Sequence, residues 1–424
     1  MRALRTHMLG KLATLALTAG ALGPGAMIPA GAQSTDTVKV GLLATLTGPL
    51  ALPGADGVRG ALTAVDEFNG KAGGKTIVVI KEATDATPNV ARDAARKLIE
   101  QDGVDFIVGP LAGDEGLAVR DYAKTVPGKT FLNGAAATED ATLFDPAPNF
   151  FRWNTDGVQW MAGLGTYAFK ERHYERVVTL GEDYSYPYSQ VGGFTTEFCA
   201  AGGHVLSHLW VPLGTKDFSS VIAAIPPQVD AVYTALVGAD GLNFLKQYVQ
   251  FGGKAPLIAG SSMVDQSMLS TKGDVYDHVI GVPAAGPIAD DNPSPLWKTF
   301  VDEYHKQPGA LRSPSLFAHA YYLNMKAALL ALNQVHGDLG NDQSAFRAAL
   351  AKLSWQSPTG PVHLDEMRQA VGDTYLTVVA KQPDGELTNK LVRVTHQVNE
   401  TLGIPMERYV KRGKLDRNTP PPCP

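Results

Sequence analysis

Cysteine is almost absent: Cys199 and Cys423 are the two in 424 residues. So few cannot build a Cys₄-type metal site, and no Cys-x-x-Cys pair occurs. Whether the two form a disulfide stays open, because separation in sequence says nothing about distance in space. The other reading is that Cys199 is plain core, since it shares a helical face with Val191, Thr195 and Phe198. Past the N-terminus there is no apolar run of membrane-spanning length. Catalytic signatures are lacking as well: no Gly-x-Ser-x-Gly elbow, no P-loop, no His-Glu-x-x-His. Gly163-Leu164-Gly165-Thr166-Tyr167-Ala168 fits a dinucleotide fingerprint on paper. It lies inside a helical pattern beginning near Asp156 with no strand before it, so helix packing is the better reading. His204 and His208 share a strand face, but no third ligand is evident, and zinc is not expected. Positive charge is also short. The formal net charge is −5, and an acidic surface argues against nucleic acid.

What is present begins with an export signal. Arg2, Arg5 and Lys11 form a basic start, residues 12–22 a short apolar stretch, and Ala30-Gly31-Ala32 a small-residue cleavage site. Residues 1–32 are therefore expected to be a signal peptide cut after Ala32. No cysteine follows the apolar stretch, so nothing supports a lipoprotein anchor. The mature chain then carries 34 basic against 42 acidic residues, a formal charge of −8. At 44% hydrophobic residues it can bury a full core.

Directly behind the signal, Val38-Lys39-Val40-Gly41-Leu42-Leu43-Ala44 predicts a buried parallel strand, and Thr47-Gly48-Pro49 a turn at its end. A helix follows with Val58, Ala61, Leu62, Val65 and Phe68 on one face. Strand–helix units repeat: strands at 76–81, 106–108 and 130–132, helices after Thr87-Pro88 and over about 114–124. An irregular stretch with two prolines follows at 145–149. From Arg176 the alternation restarts. Strands are expected at 177–180, 204–211, 230–236 and 256–259, with helices at about 188–201 and 240–251 and a short one capped by Asp217. Two long helices, about 294–306 and 314–335, and three short strands near Val362, Tyr375 and Leu391 complete the pattern. Two strand–helix series of similar size predict an α/β protein of two doubly wound, Rossmann-like lobes. Ligands of such sheets sit where strands end and helices begin.

The chain resembles type I periplasmic solute-binding proteins of ABC transporters, of the branched-chain amino acid (Leu/Ile/Val-binding) class. Carrying the resemblance are residues 38–49, Gly57-Val58-Arg59-Gly60-Ala61, residues 105–110, Asp217-Phe218 and Ser357-Pro358-Thr359-Gly360-Pro361. It implies two lobes joined by a three-segment hinge, with crossings near Trp153-Asn154, Pro283-Ala284 and Ser357-Pro358. Lobe one would be 37–153 and 284–356, and lobe two 154–283 and 357–401. Residues 402–424 would be a C-terminal tail whose proline-rich end is expected to be disordered. The resemblance further implies a periplasmic monomer that is no enzyme, needs no cofactor, closes over a small-molecule ligand and delivers it to an ABC permease.

By position, the ligand contacts on lobe one would be Leu52, Pro53, Ala112, Gly113, Asp114, Ala135, Ala136, Ala137 and Thr138. Lobe two would give Asp183, Tyr186, Val237 and Ser261, and the long helix Leu316. Relatives that bind amino acids are expected to carry hydroxyls where Gly113 and Ala137 stand, an acid near Ser261, and aromatics near Pro53 and Val237. A buried charge needs a partner, so a zwitterion fits poorly here. A less polar carboxylate, such as an aromatic one, or an amide fits better. Asp114 has two readings, a helix cap or an anchor for a cationic ligand. Tyr186 is read as a stacking or hydrogen-bonding contact from lobe two, against surface packing of its loop. An amino acid binding protein proper, a ligand-sensing receptor domain and an exported hydrolase remain the competing functions.

Overall fold

The computed structural model describes residues 36–271, 274–421 and 423; the expected signal peptide lies outside the described residues. The run from Val40 to Thr45 is buried throughout and becomes the middle of β1 (Thr37–Thr45). Two parallel neighbours cover its edges and helices its faces, which is why it is apolar without alternation.

The chain continues through α1 (Ala51–Glu67), β2 (Lys71–Ala72), β3 (Lys75–Thr84), α2 (Pro88–Glu100), β4 (Phe106–Val108), α3 (Gly113–Thr125), β5 (Thr130–Leu132) and β6 (Phe150–Phe151). The first sheet runs β2-β3-β1-β4-β5-β6, all parallel except the short β2. The second series is α4 (Leu164–Lys170), β7 (Arg176–Glu182), α5 (Ser185–Ala200), β8 (His204–Val211), α6 (Ser219–Ala223), β9 (Ala231–Ala235), α7 (Gly238–Gln250), β10 (Leu257–Ala259), α8 (Gln266–Leu269) and β11 (Pro283–Gly286). Its five parallel strands run β8-β7-β9-β10-β11. Both lobes thus use one winding: β1 lies between β3 and β4, and β7 between β8 and β9. Such sheets place their loops for ligand at the strands' carboxyl ends.

The chain then returns to the first lobe as α9 (Pro295–Tyr304), α10 (Leu316–Gln334) and α11 (Gly340–Lys352). It ends on the second sheet with β12 (Ser354–Ser357), β13 (Gly360–Leu364), β14 (Ala370–Lys381) and β15 (Leu387–Val398), in which β14 pairs antiparallel with β11. Among the described residues no helix is long and apolar enough to cross a membrane.

Several expectations change. The buried stripe of α1 is Gly57, Gly60, Ala61, Ala64 and Val65, with Val58 and Leu62 only half-buried. The reason is α10, which comes so close that a Cβ on Gly60 would lie 1.9 Å from Ala318 O. Pro283-Ala284 is not a crossing but the start of β11, since proline is tolerated as the first residue of a strand; the chain leaves the second sheet after Gly286. Two of the three closing strands are 12 residues long rather than short, and α11 and β12 were not anticipated. The helix expected from near Asp156 is one 3-10 turn, Gln159–Met161, and α4 starts only after Gly163, which sits in the left-handed region (φ 88°). Gly165 does pack helix on helix: a Cβ there would lie 2.7 Å from Phe194 O. Finally, the tail is held. Cys423 is disulfide-bonded to Cys199, with a Cα–Cα distance of 5.2 Å, and Cys199 is buried as well.

Candidate functional site

Residues from both lobes meet at the carboxyl ends of the two sheets. Gly113 opens α3 and Ser185 opens α5, and the two helix ends touch. A Cβ on Gly113 would lie 2.5 Å from Ser185 Oγ and 2.9 Å from Tyr186 N. Glycine here lets the lobes come together, which a hydroxyl-bearing side chain would block. Asp114 does not cap its own helix, which starts behind Ala112. Its Oδ1 accepts from Ser185 N at 3.1 Å, so it caps the first turn of a helix on the opposite lobe. Further along the same contact, Gly157 N donates to Ala137 O at 2.8 Å, and Glu139 N to Ser189 Oγ at 3.0 Å. Ala135, Ala136, Ala137 and Thr138 are all buried there.

Three buried acids that sequence reasoning missed hold the backbone of three expected contacts. Glu115 accepts from Ala112 N at 3.1 Å, Glu182 from Val237 N at 2.9 Å and Asp265 from Leu316 N at 2.7 Å. The last bond again joins the two lobes. Burial raises all three carboxyls. Asp265 is held up at about 7 by burial, with Asp56 adding to the rise. Glu182 is pushed well up by burial and by the nearby charge of Asp240. A weak sequence signal for Glu182 existed: it is the one acid closing the apolar run of β7.

Tyr186 is 5% exposed. Its hydroxyl lies 2.9 Å from Ser262 Oγ, and its ring packs edge-on to Trp160 at 5.9 Å and beside Tyr184 at 6.2 Å. Tyr186 thus belongs to an interior aromatic cluster and not to the surface packing of a loop. Ser261 is engaged: its hydroxyl donates to Ala285 O at 2.7 Å and accepts from Gln190 Nε2 at 3.2 Å. Asp183 is also taken, by the Tyr188 hydroxyl and by Arg417. Pro53 is buried in the first turn of α1, whereas Leu52 is 45% exposed and points to solvent. Two buried polar atoms at this contact have no partner among the described residues, Ser185 Oγ and Glu182 Oε2.

Ser261, Val264, Asp265 and Leu316 border a space of about 10 Å³, and Trp153, His319, Leu323 and Thr359 one of about 20 Å³. Each holds about one water at most. An organic ligand enters either only if the lobes part. A hollow of about 670 Å³ beside Ile222, Pro226, Tyr248 and Phe251 lies on the outer face of the second lobe and contains none of the expected contacts.

A family profile described as periplasmic binding protein matches residues 37–385. The Leu/Ile/Val-binding protein homolog 6 of Brucella melitensis is 28% identical over 387 residues, covering 86% of this chain and 93% of its own. Among solved structures, a solute-binding protein of an ABC transporter from Rhodopseudomonas palustris BisB5, in complex with 3,4-dihydroxybenzoic acid, superposes with a TM-score of 0.79 at 28% identity, covering 86% of this chain and 99% of that one. Another from R. palustris, in complex with 4-hydroxybenzoate, gives a TM-score of 0.79 at 25% identity, covering 87% and 99%.

Proposed function

The chain belongs to the periplasmic binding protein family, and from that premise we propose that it captures a small aromatic or similarly weakly polar carboxylate between its lobes and hands it to an ABC importer. The observation that carries this reading is the convergence of four helix starts on the interlobe contact. Those of α3 and α5 touch. That of α7 meets the first lobe, where a Cβ on Gly238 would lie 2.4 Å from Pro49 O. That of α10 is held by Asp265 of the second lobe. Helix N-termini favour a carboxylate, and Tyr184, Tyr186 and Trp160 supply aromatic surface beside them. The relatives solved with hydroxylated benzoates share this fold over nearly the whole mature chain.

A second reading, an amino acid ligand, is favoured by the unpartnered oxygen of Glu182. Its burial works against that reading. A carboxyl held neutral donates well to a phenol or carboxylate oxygen, but it must ionise before it can balance an ammonium. That ionisation takes back much of the gain.

Thermal-shift and calorimetric titration with 4-hydroxybenzoate, 3,4-dihydroxybenzoate and leucine tests the choice. A ligand at a hundredfold excess over its Kd stabilises by about 2.7 kcal/mol, enough to raise Tm visibly. Either benzoate is expected to do so at micromolar concentration. A response to leucine with none to the benzoates would sink the carboxylate reading. Turnover of the bound ligand would point to an enzyme instead.

A further inference from the structure

We propose that the C-terminal segment, residues 405–421 with Cys423, is an interlobe strap, and that Arg417 is the positioning residue through which it holds the lobes together over the candidate site. This rests on the reading of the interlobe contact as the binding site. The strap begins on the first lobe. Arg412 pairs with Glu139, while its guanidinium lies 3.8 Å from the ring centre of the buried Tyr409. Lys414 Nζ is 3.4 Å from Asp140. Leu415 then fills the space over Gly192 of α5, where a Cβ would lie 2.4 Å from Leu415 Cδ1. Arg417 Nη1 donates to Asp183 Oδ2 at 2.5 Å, at the carboxyl end of β7. Cys423 closes the strap by its disulfide to Cys199 on α5.

The chemistry at Arg417 gives the strap its purpose. When the lobes meet, Asp114 of the first comes to Ser185 N, while Asp183 of the second sits two residues away in sequence. Both carboxylates act on one group, the Tyr188 hydroxyl. Burial pushes it up, Asp183 and Asp114 add to the rise, and Arg417 opposes them. Arg417 supplies the counter-charge to the Asp183 carboxylate, two residues from the Ser185 N that Asp114 of the first lobe engages. An exposed pair alone contributes little, and here Arg417 is 52% exposed. The disulfide, six residues further on, presents it to Asp183 as a tethered partner with a high effective concentration. Asp183 is in this view no ligand contact but the anchor of the strap.

Four proteins decide it: the wild type, Arg417→Ala, Arg417→Lys, and Cys199→Ser combined with Cys423→Ser. Solution scattering of the ligand-free proteins reads their dimensions, and stopped-flow reads release of 4-hydroxybenzoate. Arg417→Ala should be more expanded and release about fivefold faster, the upper range for one exposed pair. Lysine should restore most of the effect. The difference should vanish near 1 M salt, where the screening length is about 3 Å. The double serine variant should resemble Arg417→Ala. Unchanged dimensions and release in Arg417→Ala, or a lysine variant as impaired as alanine, would overturn the proposal. If 4-hydroxybenzoate fails to bind the wild type, the ligand reading falls and the scattering arm alone decides the strap. If the serine variant fails to fold, Arg417→Ala still decides.

Discussion

At the scale of single residues, the interlobe contact is set by hydrogen bonds to buried groups, and two side chains test this separately. The Tyr186 ring packs against Trp160 and Tyr184, and its hydroxyl meets Ser262. Removing the ring would therefore cost folding stability as well as binding, roughly 3–5 kcal/mol for a buried aromatic. Tyr186→Phe is the cleaner change. It should weaken benzoate binding by about 1 kcal/mol, the net worth of one hydrogen bond, and leave the melting curve of the free protein nearly in place. Calorimetry that shows wild-type affinity for Tyr186→Phe would take its hydroxyl out of the site. Glu182 acts on the backbone. Glu182→Gln retains an acceptor for Val237 N, so circular-dichroism melts should scarcely move. Glu182→Ala leaves that buried N–H unpaired and should destabilise by about 1–3 kcal/mol. Equal melting of the two variants would mean that the bond to Val237 is not what Glu182 contributes.

At the scale of elements, the contact of α1 with α10 makes the sharpest demand on sequence. A methyl group on Gly60 would meet backbone, not a flexible side chain, at 1.9 Å. Gly60→Ala must push the helices apart and should cost about 1–3 kcal/mol or more. A urea melt indistinguishable from wild type would mean that the two helices are not held this tightly. That close approach also shows where sequence reasoning ends. β5 (Thr130–Leu132) and β4 (Phe106–Val108) were legible to the residue, because buried runs with turn residues after them are local signals. The buried face of α1 was not, because its glycines look like weak helix rather than contact until α10 is placed against them. The candidate site divides in the same way. The order of motifs pointed to Ala112, Gly113, Val237 and Leu316, all of which lie at the interlobe contact. The acids that hold their backbone did not stand out, since Glu182 and Val237 are 55 positions apart and Asp265 and Leu316 are 51. A cap on another helix was not legible for Asp114, since its partner Ser185 lies 71 residues on. The proline-rich tail was taken as loose on composition, which is blind to one disulfide.

At the scale of the whole molecule, closing the lobes should be coupled to protons. Asp265 lies on the second lobe and accepts from Leu316 N of the first, and burial holds its carboxyl at about 7. With the lobes apart, water reaches it and its carboxyl falls toward the ordinary value of about 3.9. Between those two values the closed form keeps a proton that the open and unfolded forms have lost. Where the compact state binds more protons, its stability falls as pH rises. Closure should therefore be favoured at pH 5 and weaken steadily up to about pH 7, the end of the window set by Asp265. Asp240, raised by burial to about 6, adds a loss of folding stability in the same direction. Its partners, Gly214 N and Thr215 N, belong to the second lobe, so it should not affect closure. The two effects can be separated. The wild type should melt higher, and scatter as a smaller particle, at pH 5 than at pH 8. Asp265→Asn, which cannot titrate, should keep most of the pH dependence of melting and lose that of its dimensions. If the wild type has the same radius of gyration at both pH values, Asp265 does not couple closure to protons, whatever the melting curves show.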